Sequence, residues 1–171
     1  GCRAWRKEDM PMSLEFLYLS RADVESIGLS MAEVVDAVEE VLREKGCGRV
    51  EMPPKRGVHP MPESAINAMP GYVPLAKVAG IKWVTRYLPN LDKGLPYVLG
   101  LLILNDPETG IHLSVIDCAW ITAMRTGAAS AVAAKYLARQ DSRQIATLAC
   151  GVPGRRNLTA MQLAFPGPSL A

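Results

Sequence analysis

Hydrophobic and polar positions along this chain switch between two periods. Leu14–Leu19 is a short apolar run of strand length. Ser20-Arg21-Ala22-Asp23 has the look of a helix cap and opens a short helix ending near Gly28. Ser30-Met31-Ala32-Glu33 is a capping box, in which the serine side chain and the acid three residues on satisfy each other's backbone N–H groups. Beyond it Met31, Val34, Val35, Val38, Val41 and Leu42 follow three-and-four spacing, while Glu39, Glu40, Arg43 and Glu44 take the other face. The pattern predicts an amphipathic helix to Gly46. Gly48–Pro62 is dense in proline and glycine and is expected to be extended. Ser64–Met69 reads as a strand closed by Pro70-Gly71, and Val78–Tyr87 as a strand with Lys82 at its middle. Tyr97–Leu104 and Ile111–Ile116 flank the turn signal Asn105–Gly110, which predicts a hairpin.

From about Trp120 the character changes. Ala123–Arg139 is rich in alanine and predicts a long helix that lets neighbours approach closely. Asp141-Ser142 breaks it, Ile145–Ala149 reads as a short buried strand, and Gly151–Gln162 opens as a glycine loop into a helix. Strand, glycine loop and helix form the opening of a dinucleotide-binding unit. The expected fold is α/β: a mixed sheet with flanking helices over residues 13–140, then the first βα unit of a Rossmann domain over 141–171. Residues 1–12 resemble a tag or upstream extension, because Met12-Ser13-Leu14 itself reads as a start.

Composition narrows the function classes. A net charge of +2 gives no electrostatic reason to expect nucleic acid, and 6% aromatic residues are too few for base-stacking platforms. No window reaches the ~18 uncharged apolar residues that a membrane span needs, and the first residues lack the apolar centre of a secretory signal. Cys2, Cys47, Cys118 and Cys150 form no CxxC pair, and His59 and His112 stand apart from them. That spacing argues against a structural zinc site and favours a reducing cytoplasm.

Few residues are candidates for chemistry. Lys82 lies between Ile81 and Trp83, either on the solvent face of an edge strand or aimed into a cleft where burial lowers its pKa. Arg125 sits at the expected start of the alanine-rich helix, a place that favours anions, and is either a surface arginine or a fork for a carboxylate or phosphate. Thr126 adds a hydroxyl near the same helix end. Lys55 and Arg56 follow Pro53-Pro54, so they are either a solvated basic loop or a basic pair whose direction the prolines fix. His59 reads as a loop histidine, and Cys118 and Cys150 as small buried hydrophobes. The glycine loop is Ala149-Cys150-Gly151-Val152-Pro153-Gly154, with alanine replacing the first glycine of G-x-G-x-x-G.

Met52-Pro53-Pro54-Lys55, Gly80-Ile81-Lys82-Trp83, Gly94-Leu95-Pro96 before Asn105–Gly110, and Thr122-Ala123-Met124-Arg125-Thr126 with its alanine helix resemble the ornithine cyclodeaminase and mu-crystallin family. The resemblance runs from Leu14 to Leu163. It implies NAD- or NADP-dependent chemistry on a small amino or imino acid, with no nucleic acid or membrane partner. By the same resemblance Lys55, Lys82 and Arg125 grip the substrate carboxylate, Lys82 also serving catalysis. Thr126, Gly151 and Gly154 approach the cofactor, and the sheet domain forms a homodimer. Family members are roughly twice as long. The ribose-binding acid on the second Rossmann strand and the catalytic aspartate are therefore expected to be missing from a truncated chain. The alternative expectation is a non-catalytic remnant, a dimeric domain that binds a small carboxylate.

Overall fold

The computed structural model describes residues 14–139, 141–148, 151–165 and 169–170. The elements run β1 (Leu17–Leu19), α1 (Arg21–Ser26), α2 (Met31–Gly46), β2 (Arg56–Val58), β3 (Ser64–Val73), β4 (Val78–Tyr87), β5 (Val98–Asn105), β6 (His112–Asp117), α3 (Ala119–Leu137), β7 (Gln144–Ile145), α4 (Val152–Ala164) and β8 (Ser169–Leu170). β1 to β6 form one sheet in the order β1-β6-β5-β4-β3-β2. Only the β1–β6 pair is parallel, so the sheet is mixed as expected.

Local chemistry sets the boundaries. Both early helices start on reciprocal capping boxes, Ser20 with Asp23 and Ser30 with Glu33. The β5–β6 hairpin turns through Asp106, whose carboxylate accepts the Glu108 N–H at 3.1 Å, and closes at Gly110 with φ +75.

Most boundaries fall within a residue or two of the sequence expectations, and four elements differ in ways that bear on the site or the sheet. β1 begins at Leu17 rather than Leu14. β3 continues through Pro70-Gly71 to Val73. Tyr72 donates its N–H outward to Glu51 at 2.8 Å, so Pro70, two residues earlier, also presents its nitrogen outward. It sits past the end of the β2 ladder at Ala68, an edge position where a missing donor costs nothing. α3 begins at Ala119 rather than Ala123. β7 is only Gln144–Ile145 and pairs in parallel with β8 across α4, a short second strand that the sequence did not signal. Ala149 and Cys150, like residues 1–13, lie outside the described residues.

The helices cover one face of the sheet. Met31 of α2, Met124, Ala128 and Ala131 of α3 and Ala160 of α4 form the buried cluster, joined by Val34, Val35, Val38, Trp120 and Ala164. Three of these alanines have no exposed surface, so small side chains let the three helices approach closely. A Glu39–Lys135 ion pair at 2.8 Å ties α2 to α3 at the rim. On the opposite face Trp83, Leu99, Leu101, Val58 and Tyr18 stay largely exposed. Among the described residues nothing covers this apolar face.

Candidate functional site

β4 is a central strand, flanked by β3 and β5, so Lys82 is not on an edge. Lys82 stands opposite Met69 and Leu102 on the helix-covered face and is half-buried. Burial is the largest cause pushing its pKa down, followed by the positive charges of Arg125 and Lys55; only Cys118 opposes them. The strands close tightly around it. A Cβ at Gly80 would lie 2.4 Å from the Ile103 carbonyl, and one at Gly100 would lie 2.5 Å from the Trp83 carbonyl and 2.9 Å from Cys118 Sγ.

Cys118 joins the sheet to α3. Its N–H donates to the Gly100 carbonyl at 3.0 Å, and Asp117 Oδ1 accepts the Ala119 N–H at 2.9 Å, which turns the chain into the helix. The thiol has no exposed surface, and burial pushes its pKa up against the pull of the Thr122 hydroxyl, Lys82 and Arg125. Thr122 donates to Sγ at 3.7 Å. Cys118 is buried, as the sequence suggested. That it lies beneath the two cations is not legible in the sequence, because nothing local to Asp117-Cys118 points to β4.

Because α3 starts at Ala119, Arg125 is in the second turn and not at the helix N-terminus. Helix-end attraction for anions fades within the first turn, so that reason for an anion at Arg125 falls away. Its neighbours replace it. Arg125 is partly exposed, yet enough protein surrounds the guanidinium for burial to lower its pKa, while its charge lowers that of Lys82. Lys55 is exposed at the end of the Met52-Pro53-Pro54 segment and close enough to act on Lys82. Among the described residues, none of the ion pairs involves Lys55, Lys82 or Arg125. Arg56 pairs with Ala68, which places it on the opposite, Trp83-bearing face, and His59 lies exposed directly after β2.

Thr126 donates its hydroxyl to the Thr122 carbonyl at 2.6 Å and shares a helix face with Ser130, one turn on. Ser130 lines a groove of about 410 Å³ with Ile145, Thr147, Gly151, Gly154 and Asn157. Gly151 caps α4 and Pro153 stands in its first turn, where an absent N–H is tolerated. Among the described residues a Cβ at Gly151 would meet only the Pro153 ring, at 3.8 Å, so space is left at Gly151 itself. The six site residues thus fall into two sets: Lys55, Lys82 and Arg125 as one cationic cluster, and Thr126, Gly151 and Gly154 around or beside the groove.

The sequence profile of the ornithine cyclodeaminase/mu-crystallin family matches residues 15–166. The chain belongs to that family. It is 44% identical over 149 residues to the nodulation efficiency protein NfeD of Rhizobium meliloti, covering 87% of this chain and 47% of that protein. An archaeal alanine dehydrogenase, solved as a dimer with bound NAD, superposes with a TM-score of 0.83 at 40% identity over 91% of this chain and 47% of the other. The Thermococcus litoralis Δ1-pyrroline-2-carboxylate reductase, solved with NADH and L-proline, gives a TM-score of 0.83 at 38% identity, with the same coverage of both chains. The chain spans about half the length of the curated relatives it matches. No helix among the described residues is long and apolar enough to cross a membrane.

Proposed function

We propose that this chain carries the substrate-holding half of an NAD(P)-dependent, ornithine cyclodeaminase-like oxidoreductase or deaminase that grips a small amino or imino acid by its carboxylate. The observation that carries this reading is the cluster of Lys55, Lys82 and Arg125, three positive charges without a carboxylate partner among the described residues. Such a cluster is relieved by an anion, and a guanidinium beside an amine suits a carboxylate held by two or more hydrogen bonds. Arg125 binds and orients, Lys55 adds charge at the mouth, and Lys82 is the catalytic residue. Its ammonium contacts the substrate and, with its pKa lowered by burial and its cationic neighbours, releases a proton from Nζ and takes it back. The same charges favour the neutral form of a substrate amine.

The groove beside α4 fits the phosphates of a dinucleotide: the loop backbone is uncovered at Gly151 and the first turn presents N–H groups at Val152 and Gly154, with Pro153 contributing none. Thr126, Gly151 and Gly154 would hold it. NAD or NADP supplies hydride exchange at the substrate Cα when bound. The bare sheet face around Trp83 supports a homodimer, and the free thiols Cys47 and Cys118 suit the reducing cytoplasm. That face also favours a second reading, a dimeric carboxylate-binding domain without turnover.

Calorimetric titration with pyruvate, L-alanine and L-proline tests the reading. It requires saturable binding that disappears in Arg125→Met; heats indistinguishable from buffer for all three compounds would overturn it. Mixing the chain with NADH and an imino acid then separates an enzyme from a binding domain, since only the enzyme oxidises NADH.

A further inference from the structure

We infer that Gly127 is a positioning residue that sets the spacing between the carboxylate-holding cluster and the cofactor groove, an inference that rests on the roles proposed above for Arg125 and the start of α4. Gly127 is buried where α3 crosses α4. A Cβ there would lie 2.6 Å from the Arg156 carbonyl oxygen, 2.8 Å from its carbon and 3.1 Å from the Asn157 nitrogen. All three are backbone atoms, so no side-chain rotation relieves the contact. Any larger residue must drive the helices apart, by about 1 Å to restore ordinary separation.

The position of this contact gives it meaning. Gly127 lies about 3 Å along the helix axis from Arg125 and about 4.5 Å from Ser130, at 1.5 Å per residue. Arg125 belongs to the cationic cluster and Ser130 lines the groove, so this tight backbone contact between the two helices falls, along α3, between the two half-sites. Asn157, the neighbour of Arg156, also lines that groove. Ala128, Ala131 and Ala160 hold the rest of the crossing without exposed surface. Displacing α4 therefore moves Gly151 and Gly154 relative to Arg125 while the sheet bearing Lys82 stays in place. Misplacement by about 1 Å between reacting groups costs on the order of a hundredfold in rate.

The test compares wild type, Gly127→Ala and the control Ala131→Gly, which loosens the same crossing without forcing it open. Crystal structures report the position of α4, and steady-state kinetics with NADH and an imino acid report kcat and KM. G127A is expected to shift α4 by about 1 Å, to lower kcat on the order of a hundredfold and to leave KM for the imino acid within about twofold. A131G is expected to lower stability alone. Should G127A fail to fold, the double variant G127A/A160G frees volume in the crossing while keeping the contact with Arg156, and takes its place. An unmoved α4, or a kcat within twofold of wild type, overturns the inference. So does a loss in G127A that A131G reproduces. Absence of binding and turnover in the wild type defeats the functional reading instead, and the structures still judge the spacing.

Discussion

Burial first, and then the Arg125 guanidinium on α3, depress the proton affinity of the Lys82 amine on β4. Two cations from distant parts of the chain, the lysine half-buried and the arginine partly exposed, are held together without a carboxylate partner among the described residues. That arrangement costs the fold stability, and an anion is what removes the cost.

Lys82→Met removes a charge that the fold resists. A lysine whose folded pKa lies below its ordinary 10.5 destabilises the folded state while it must remain charged. The unfolded chain binds more protons between the folded pKa and 10.5, so the wild type gains stability as pH rises through that window. With solvent screening of a half-buried group allowed for, K82M is expected to be more stable than wild type by about 1 kcal/mol at neutral pH. The difference should close above 10.5. Urea unfolding at the two pH values checks it, and a constant difference would count against burial and charge repulsion as the cause.

Arg125→Lys keeps the charge and loses the planar fork. Affinity for pyruvate or L-proline is expected to fall about tenfold, close to 1.4 kcal/mol. Arg125→Met should in addition let the Lys82 pKa rise towards its ordinary value, which 15N chemical shifts of the lysine amine follow directly.

Gly100→Ala drives a methyl group into the Trp83 carbonyl and the Cys118 thiol. Overpacking of this kind costs about 1–3 kcal/mol, read as a lower urea midpoint. Adding Cys118→Ala is expected to recover only part of the loss, because the Trp83 carbonyl is backbone and stays.

Trp83→Glu places a charge at the centre of the bare sheet face. Light scattering coupled to size exclusion should find the wild type dimeric and W83E monomeric. A wild-type monomer would dismiss the dimer proposal.

Much of the fold is legible where local chemistry decides it. The capping box at Ser30 and Glu33 announces α2 to the residue, and Asn105–Gly110 announces the hairpin turn. Lys82 falls on the expected strand, yet strand order depends on pairing between distant segments, so its central position cannot be read from neighbouring residues. The start of α3 lies one turn before the expected one because Asp117 caps Ala119 without a serine or threonine signal. Arg125 therefore lies beyond the first turn, out of reach of the helix N-terminus, and Lys82, which Lys55 also influences, is its charged neighbour. Gly127 shows its purpose only against Arg156, a contact across a helix crossing. Pro70 reads as a strand stop because its missing N–H is tolerated only past the end of β2, and where β2 ends is set by pairing between distant segments.

The pH dependence of carboxylate binding tests the central claim most directly. Affinity for pyruvate, whose carboxylate stays ionised throughout, should hold at neutral pH and begin to fall as pH rises through the lowered pKa of Lys82, below the ordinary 10.5. K82M should bind weakly at every pH and show no such step. An affinity in the wild type that stays level up to pH 10.5, or a step of equal size in K82M, would contradict the account.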